Sequence, residues 1–285
     1  MNNKIGLVME GGSMRGMFTA GVTDVMMETG ITFPGAIGVS AGAAFGCNYK
    51  SRQIGRAIRY NKRFCADPRY AGFRSLITTG DLYNAEFCYS VVPKTLDIFD
   101  TEAFRNNPME FYVTCTDVET GEPVYHKCTD GGEEDIQWIR ASASLPLAAR
   151  IVEIDGYKLL DGGIADSIPL RHFKTLGYNK NIVILTQPLG YKKEKNVLMP
   201  IVRLALHKYP KMIEAVRTRH LRYNAATEYV AEEEKRGDAL VIRPPEPLGI
   251  SGRVKDPDEL ERVYRIGRKT AEEMLGSIKN FMGER

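Results

Sequence analysis

Gly38-Val39-Ser40-Ala41-Gly42 stands where a short apolar run (Ala36, Ile37, Val39) gives way to a small-residue stretch compatible with a helix (Ala41, Ala43, Ala44). A serine with glycine two residues before and two after it, between a strand and a helix, reads as a nucleophile elbow. The turn is sharp and the serine backbone is strained. Only glycine hydrogens fit where strand and helix crowd each other. The Ser40 oxygen then stands at a helix N-terminus, where the helix dipole favours developing negative charge. Taken alone, the pentapeptide also suits a tight packing turn with no chemistry.

A second glycine cluster narrows the choice. Lys4-Ile5-Gly6-Leu7-Val8-Met9 is a compact, mostly apolar strand. Glu10-Gly11-Gly12-Ser13-Met14-Arg15-Gly16 follows, and a helix runs on toward Glu28. Small residues between strand and helix let backbone N–H groups point into a concavity that accepts an anion. Nucleotide phosphate binding fails in detail, because the loop has neither Gly-x-Gly-x-x-Gly nor a Walker-type Lys-Ser/Thr. An oxyanion hole for a tetrahedral acyl intermediate fits, with Arg15 adding positive charge nearby. A glycine turn needed only for packing remains the plain alternative.

The third motif is Asp161-Gly162-Gly163. Upstream, Asp155-Gly156 between two β-rich runs is a two-residue hairpin signal. Asp161 therefore falls at the end of the second hairpin strand. An ordinary Asx turn explains it without chemistry. A carboxylate beside a serine hydroxyl can instead act as general base. Its pKa, about 3.9 when unperturbed, rises with burial toward a useful range.

In this order the three elements resemble the patatin-like phospholipases. That family carries a Gly-Gly-Gly-x-Arg-Gly oxyanion loop, a Gly-x-Ser-x-Gly elbow and an Asp-Gly-Gly or Asp-Gly-Ala base motif. Here they stand as Gly11 to Gly16, Gly38 to Gly42 and Asp161 to Gly163. Ala141-Ser142-Ala143-Ser144-Leu145-Pro146 is similar to the family's Ala-Ser-x-x-x-Pro segment before the base. The resemblance spans residues 4 to 190. Ser13 departs from it, replacing the third loop glycine, and costs strain if that position needs positive φ. Glu10 stands where many members have Asp.

The resemblance implies an α/β protein with a three-layer α/β/α fold and a central mixed sheet, over residues 1–190. A mainly helical extension, residues 191–285, is expected to pack on it. The implied activity is serine acyl hydrolysis of phospholipids or related lipid esters, through a Ser40–Asp161 dyad and an acyl-enzyme. Gly11, Gly12 and Ser13, with Arg15, would form the oxyanion hole. Gly38, Gly42, Gly162 and Gly163 would shape the elbow and base loop. No metal and no cofactor are implied. A poorly turning-over lipid-binding or regulatory protein of the same fold, and a broad small-ester esterase, are the alternatives. Acyl specificity is expected to come from residues 65–109.

A triad is disfavoured. The four histidines are His126, His172, His207 and His220. The order of an α/β-hydrolase would place the catalytic one after the acid, at His172, His207 or His220. Ser40 follows only the second strand, too early for that fold's elbow. His172 sits near Arg171 and Lys174, and His207 and His220 lie among basic residues on helices, which favours solvated positions.

The chain has 285 residues, a net charge of +3 and 43% apolar residues, an ordinary balance for a globular protein. No apolar window is long enough for a transmembrane helix. A core strand beginning at residue 5 leaves no room for a cleavable signal. Five cysteines (Cys47, Cys65, Cys88, Cys115, Cys128) without paired metal spacing agree with a reducing compartment, the cytoplasm by default. Strands are expected near 4–9, 35–39, 110–117, 123–128, 151–160, 181–187 and 239–243. Helices are expected near 15–29, 41–63, 132–143, 168–176, 197–235 (broken at Pro210) and 257–282.

Charge concentrates locally. Between Lys192 and Arg222 stand nine Lys/Arg and two acids, Glu194 and Glu214. A solvated helix face explains this plainly. Interleaved Met199, Ile201, Val202, Leu204, Leu206 and Met212 also suit an interfacial helix approaching anionic lipid. Nucleic acid is not expected as a partner, since no recognition motif accompanies the charge. The oligomeric state is not set by the sequence.

Overall fold

The computed structural model describes residues 4–283. Its strands are β1 Ile5–Met9, β2 Gly35–Val39, β3 Glu110–Asp117, β4 Pro123–Cys128, β5 Val152–Ile154, β6 Tyr157–Asp161, β7 Lys180–Ile184 and β8 Ala239–Ile242. They form one mixed sheet in the order β5-β6-β3-β2-β1-β7-β8, with β4 also paired to β3. The core strands β3, β2, β1, β7 and β8 run parallel. The pairs β3–β4, β3–β6 and β5–β6 are antiparallel.

The helices are α1 Gly16–Glu28, α2 Ala41–Lys50, α3 Arg56–Phe64, α4 Phe73–Thr79, α5 Thr101–Asn106, α6 Glu133–Ser142, α7 Leu170–Thr175, α8 Met199–Ala205, α9 Pro210–Arg236 and α10 Pro257–Met282. A π-helix over Phe87–Leu96 carries Pro93 within it.

Burial on both faces explains why the central strands read as continuous apolar runs rather than alternating ones. Successive side chains feed opposite layers. Leu7, Met9, Ala36, Ile182 and Ile184 join the core shared with α1, α2, α6 and α10. Val8, Ile37 and Val183 join the core shared with α7 and α9. The three-layer α/β/α arrangement follows from this partition. Residues beyond 190 take part in it: β8 pairs with β7, and α10 lies along α1.

The α1–α10 contact is backbone to backbone. A Cβ on Gly267 would stand 2.1 Å from the Phe18 carbonyl oxygen, and one on Gly21 would stand 2.2 Å from that of Tyr264. The Asp256 side chain caps α10 by accepting from the Asp258 N–H, with Pro257 in the first turn.

One expectation changes. The helix expected over 41–63 is two helices, because Arg52 and Gly55 take left-handed φ values of 55° and 71° and turn the chain. Residues 65–109, to which the sequence reading assigned no elements, are helical in part. They hold α4, the π-helix and α5, all short or interrupted, so no sustained helical periodicity marks them. The break at Pro210 stands where expected.

Candidate active site

The site is made where two strands end against a third. β2 and β6 lie on the same edge of β3, since Cys115 pairs with Val124 of β4 on its other edge. β2 stops at Val39, opposite Thr114, and β6 arrives from the other direction and stops at Asp161, opposite Cys115. Their ends therefore meet. The Ser40 hydroxyl donates to Asp161 Oδ2 at 2.6 Å.

Local strain aims the serine. Ser40 has φ 53° and ψ −120°, a conformation a side-chain-bearing residue keeps only when its surroundings impose it. A Cβ on Gly38 would stand 2.4 Å from the Gly42 carbonyl oxygen, so the elbow closes only with glycine there. Ala-Ser-x-x-x-Pro holds the pair from the other side. Ser142 Oγ accepts the Ser40 N–H at 2.8 Å and donates to the Thr114 carbonyl at 2.6 Å. The Asp161 N–H donates to the Ser144 carbonyl at 2.8 Å.

Asp161 is 1% exposed. Its Oδ1 accepts the Gly163 N–H at 2.8 Å. Burial pushes its pKa up; the Arg219 guanidinium, the Ser40 hydroxyl and the Gly163 N–H pull the other way. Arg219 comes from α9 and donates its Nε–H to the Gly163 carbonyl at 2.5 Å.

Gly11 packs directly on the serine. A Cβ there would stand 3.0 Å from Ser40 Cβ. Among the described residues, the N–H groups of Gly11 and Gly12 have no acceptor. Ser13 takes φ 48°, so the departure from glycine carries left-handed strain. The Arg15 side chain turns toward the end of β7, where Nε meets Thr186 Oγ1 at 3.4 Å, and it does not line the cavity at Ser40. Glu10 anchors the loop's start from beneath. It accepts the Thr186 N–H at 2.5 Å and the Tyr223 hydroxyl at 2.7 Å, and burial raises its pKa.

Among the described residues, no histidine hydrogen bonds to Ser40 or Asp161. His172 is half-buried and stacked on Tyr125 at 3.5 Å, not solvated as expected, and burial lowers its pKa. His207 is exposed. His220 is half-buried with its Nδ1 enclosed and without a partner, which also departs from a solvated position.

His126, Cys128 and Asp135 bring potential metal-ligand atoms within 4.8 Å of one another. Asp135 Oδ2 already accepts the N–H groups of Thr129, Asp130 and Gly131 at 2.8, 2.9 and 2.8 Å. The buried Lys50 ammonium lies close enough to act on both Cys128 and Asp135. The cluster thus reads as a loop cap with its own cation, and none of its members lines the Ser40 cavity.

That cavity measures about 290 Å³. Its walls are mainly apolar and aromatic, with Phe45, Tyr60, Tyr89, Val92, Phe99 and Ile139 prominent. Several come from residues 65–109, where specificity was expected. Ser142 and Glu10 were named in the sequence without a role, and Arg219 was not named at all. Ser142 had a signal in its motif; Arg219, 56 residues from its partner, had none.

A strained serine at a strand–helix junction, a buried carboxylate on its hydroxyl and backbone donors without acceptors beside it thus meet at one place on a three-layer fold. Comparison supplies the family. The pattern of the patatin-like phospholipases matches residues 7–174, and the chain belongs to that family. A domain of unknown function, DUF6363, matches residues 209–283. The uncharacterized protein YjjU of Escherichia coli K12 is 26% identical over 302 residues, spanning 99% of this chain and 80% of that one. Lysophospholipase nte1 of Aspergillus terreus is 26% identical over 97% of this chain, which spans 18% of that protein's length. Among solved structures, VipD from Legionella pneumophila aligns with a TM-score of 0.48 at 14% identity, covering 96% of this chain and 67% of VipD.

Proposed function

We propose that the protein hydrolyses carboxylic esters of lipids through a covalent acyl-enzyme on Ser40. The observation that carries this reading is the 2.6 Å bond from Ser40 to the buried Asp161. Asp161 takes the hydroxyl proton as Ser40 Oγ forms a bond to the ester carbonyl carbon. The carbonyl oxygen becomes an oxyanion, received by the unpaired N–H groups of Gly11 and Gly12. One such donor is worth about 3 to 4 kcal/mol of transition-state stabilisation. The alcohol leaves with the proton from Asp161. Water then attacks the acyl carbon, giving its proton to the same carboxylate; the bond from the acyl carbon to Ser40 Oγ breaks, Asp161 returns the proton to Oγ, and the acid is released. All of this is carried by side chains and backbone of the chain itself. The mainly apolar and aromatic walls of the cavity suit an acyl chain, and single-chain esters such as lysophospholipids are the substrate class proposed. Lysophospholipase as a name belongs to the fungal relatives, and their activity is carried to this chain only as part of this reading.

The decisive experiment pairs Ser40→Ala with Asp161→Asn. Each should fold and each should lose at least about a thousandfold in kcat/KM on a lysophospholipid and on a short nitrophenyl ester. A fluorophosphonate should label the wild type at Ser40. Retained labelling with negligible turnover on every ester would favour the regulatory reading instead.

Peripheral contact with an anionic lipid surface belongs to the same proposal. Among the described residues no helix is long and apolar enough to cross a membrane. Val197, Leu198, Ile201 and Leu204 are exposed beside Lys195 and Arg203, and these supply apolar and cationic contacts on one short segment.

A further inference from the structure

A second cavity, about 520 Å³, lies between the segment after β7 and the middle of α9. Lys193, Arg219 and His220 line it, together with Lys192, Asn196 and one acid, Glu194. The segment is fixed in place. The Lys193 N–H donates to Asn224 Oδ1 at 2.8 Å, and Asn224 Nδ2 returns a bond to the Lys193 carbonyl at 3.1 Å. The cavity is therefore built before any ligand arrives.

Among the described residues, Glu194, the one acid lining the cavity, pairs with none of its cations. Lys192 pairs with Glu228 at 2.6 Å, outside the cavity lining. Among the described residues Lys193 has no ion pair; its ammonium lies 4.7 Å from the centre of the Tyr223 ring. Arg219 spends its Nε–H on the Gly163 carbonyl; its guanidinium acts on the buried Asp161 carboxylate on that side and forms no close ion pair among the described residues. Glu194 is exposed and pairs with neither. His220 Nδ1 is buried with no partner in the protein. Burial pushes the Lys193 pKa down to about 8, the nearby Arg219 and Arg15 charges push the same way, and Glu10 opposes them more weakly. Like charges gathered in a half-buried site are relieved by an anion.

We propose that this cavity binds a phosphate oxyanion, the charged group of a phosphate monoester or diester, through Lys193, Arg219 and His220. Several donors converge there from two elements. Phosphate offers several acceptor oxygens, and an Arg with free N–H groups meets them as charge-assisted bonds. Arg219 also touches the base loop at Gly163, so the site adjoins the ester-hydrolysing centre without sharing Ser40's cavity.

Calorimetric titration of the full chain with inorganic phosphate and with glycerol 3-phosphate tests this. Saturable binding is expected. Lys193→Gln should weaken it at least about tenfold, while Lys193→Arg should keep it within about threefold. Binding should persist after Ser40 is blocked by a neutral fluorophosphonate. No saturable binding, binding indifferent to Lys193→Gln, or binding abolished by the block would each overturn the proposal, the last by placing the phosphate at the oxyanion loop. Lysophosphatidylglycerol against a monoacylglycerol of the same chain separates the sources. A KM that rises in Lys193→Gln for the phosphate-bearing ester alone assigns the site to a lipid headgroup. Equal behaviour of the two esters, with phosphate binding still lost, assigns it to a free phosphate ester. Should neither ester be hydrolysed, the acyl-hydrolase reading falls while the calorimetry still decides this one.

Discussion

Asp161 is the carboxylate that touches Ser40, and its surroundings set the pH at which it can accept a proton. Burial raises its pKa, and Arg219 is the largest opposing influence. If Asp161 is the base, as proposed, it works when ionised, so activity is held above the folded pKa and lost as pH falls through it. The acid limb of kcat/KM should therefore lie above the ordinary carboxylate value of about 3.9. Arg219→Gln removes a charge that favours the carboxylate, so the limb should move to higher pH. A limb that stays put would mean the Gly163 contact is structural only. Ser40 and Asp161 were legible in the sequence because each carries its glycines within two residues. Ser142 and Arg219 act across the chain, over 102 and 56 residues. Nothing local marks a hydroxyl that will accept one particular backbone N–H.

Among the elements, α10 shows how far periodicity reaches. Its cap, its proline and its apolar stripe predicted bounds of 257–282, and those bounds are observed. Its partner was not predicted, because two glycines that permit close approach look like weak helix residues until both helices are placed. Gly267→Ala forces a methyl against the Phe18 carbonyl. It should cost about 1 to 3 kcal/mol, read as a lowered denaturant midpoint. The same contact carries a titrating group. Asp24 Oδ2 in α1 accepts the Tyr264 hydroxyl at 2.7 Å and the Gly55 N–H at 3.0 Å. Burial raises its pKa from 3.8 to about 6. A raised carboxyl contributes stability that is complete below the unfolded pKa and lost as pH rises through the folded one. Between about pH 4 and pH 7 this loss is at most about 3 kcal/mol. Asp24→Asn keeps a single oxygen for both donors and does not titrate. The difference in Tm between about pH 5 and pH 7.5 should shrink in that variant relative to the wild type.

On the scale of the whole molecule, strand order was not legible. Apolar runs show that strands are buried on both faces, but not that β6 returns along the edge β2 has just left. That arrangement alone brings Asp161 to Ser40 from 121 residues away. Surface charge was legible as composition and not as placement. The nine cations between Lys192 and Arg222 do not form one open face. Lys192 and Arg217 are paired with Glu228 and Glu214, and Lys193 and Arg219 line the second cavity. Val202, Leu206 and Met212 are buried, so the apolar residues interleaved with the cations are divided as well. Exposed Ile201 and Leu204, at 54% and 78%, share α8 with Arg203. If this segment meets lipid, apolar contact contributes along with charge. Ile201→Asp with Leu204→Asp should lower sedimentation with anionic vesicles at least about fivefold. Salt should weaken wild-type binding, as expected for charges screened over about 8 to 10 Å. Hydrolysis of a soluble nitrophenyl ester should be unchanged, because neither residue lines the Ser40 cavity. Vesicle binding indifferent to both substitutions would move the lipid contact elsewhere on the surface, with the exposed Phe73 and Ile77 of α4 as the next apolar pair to replace.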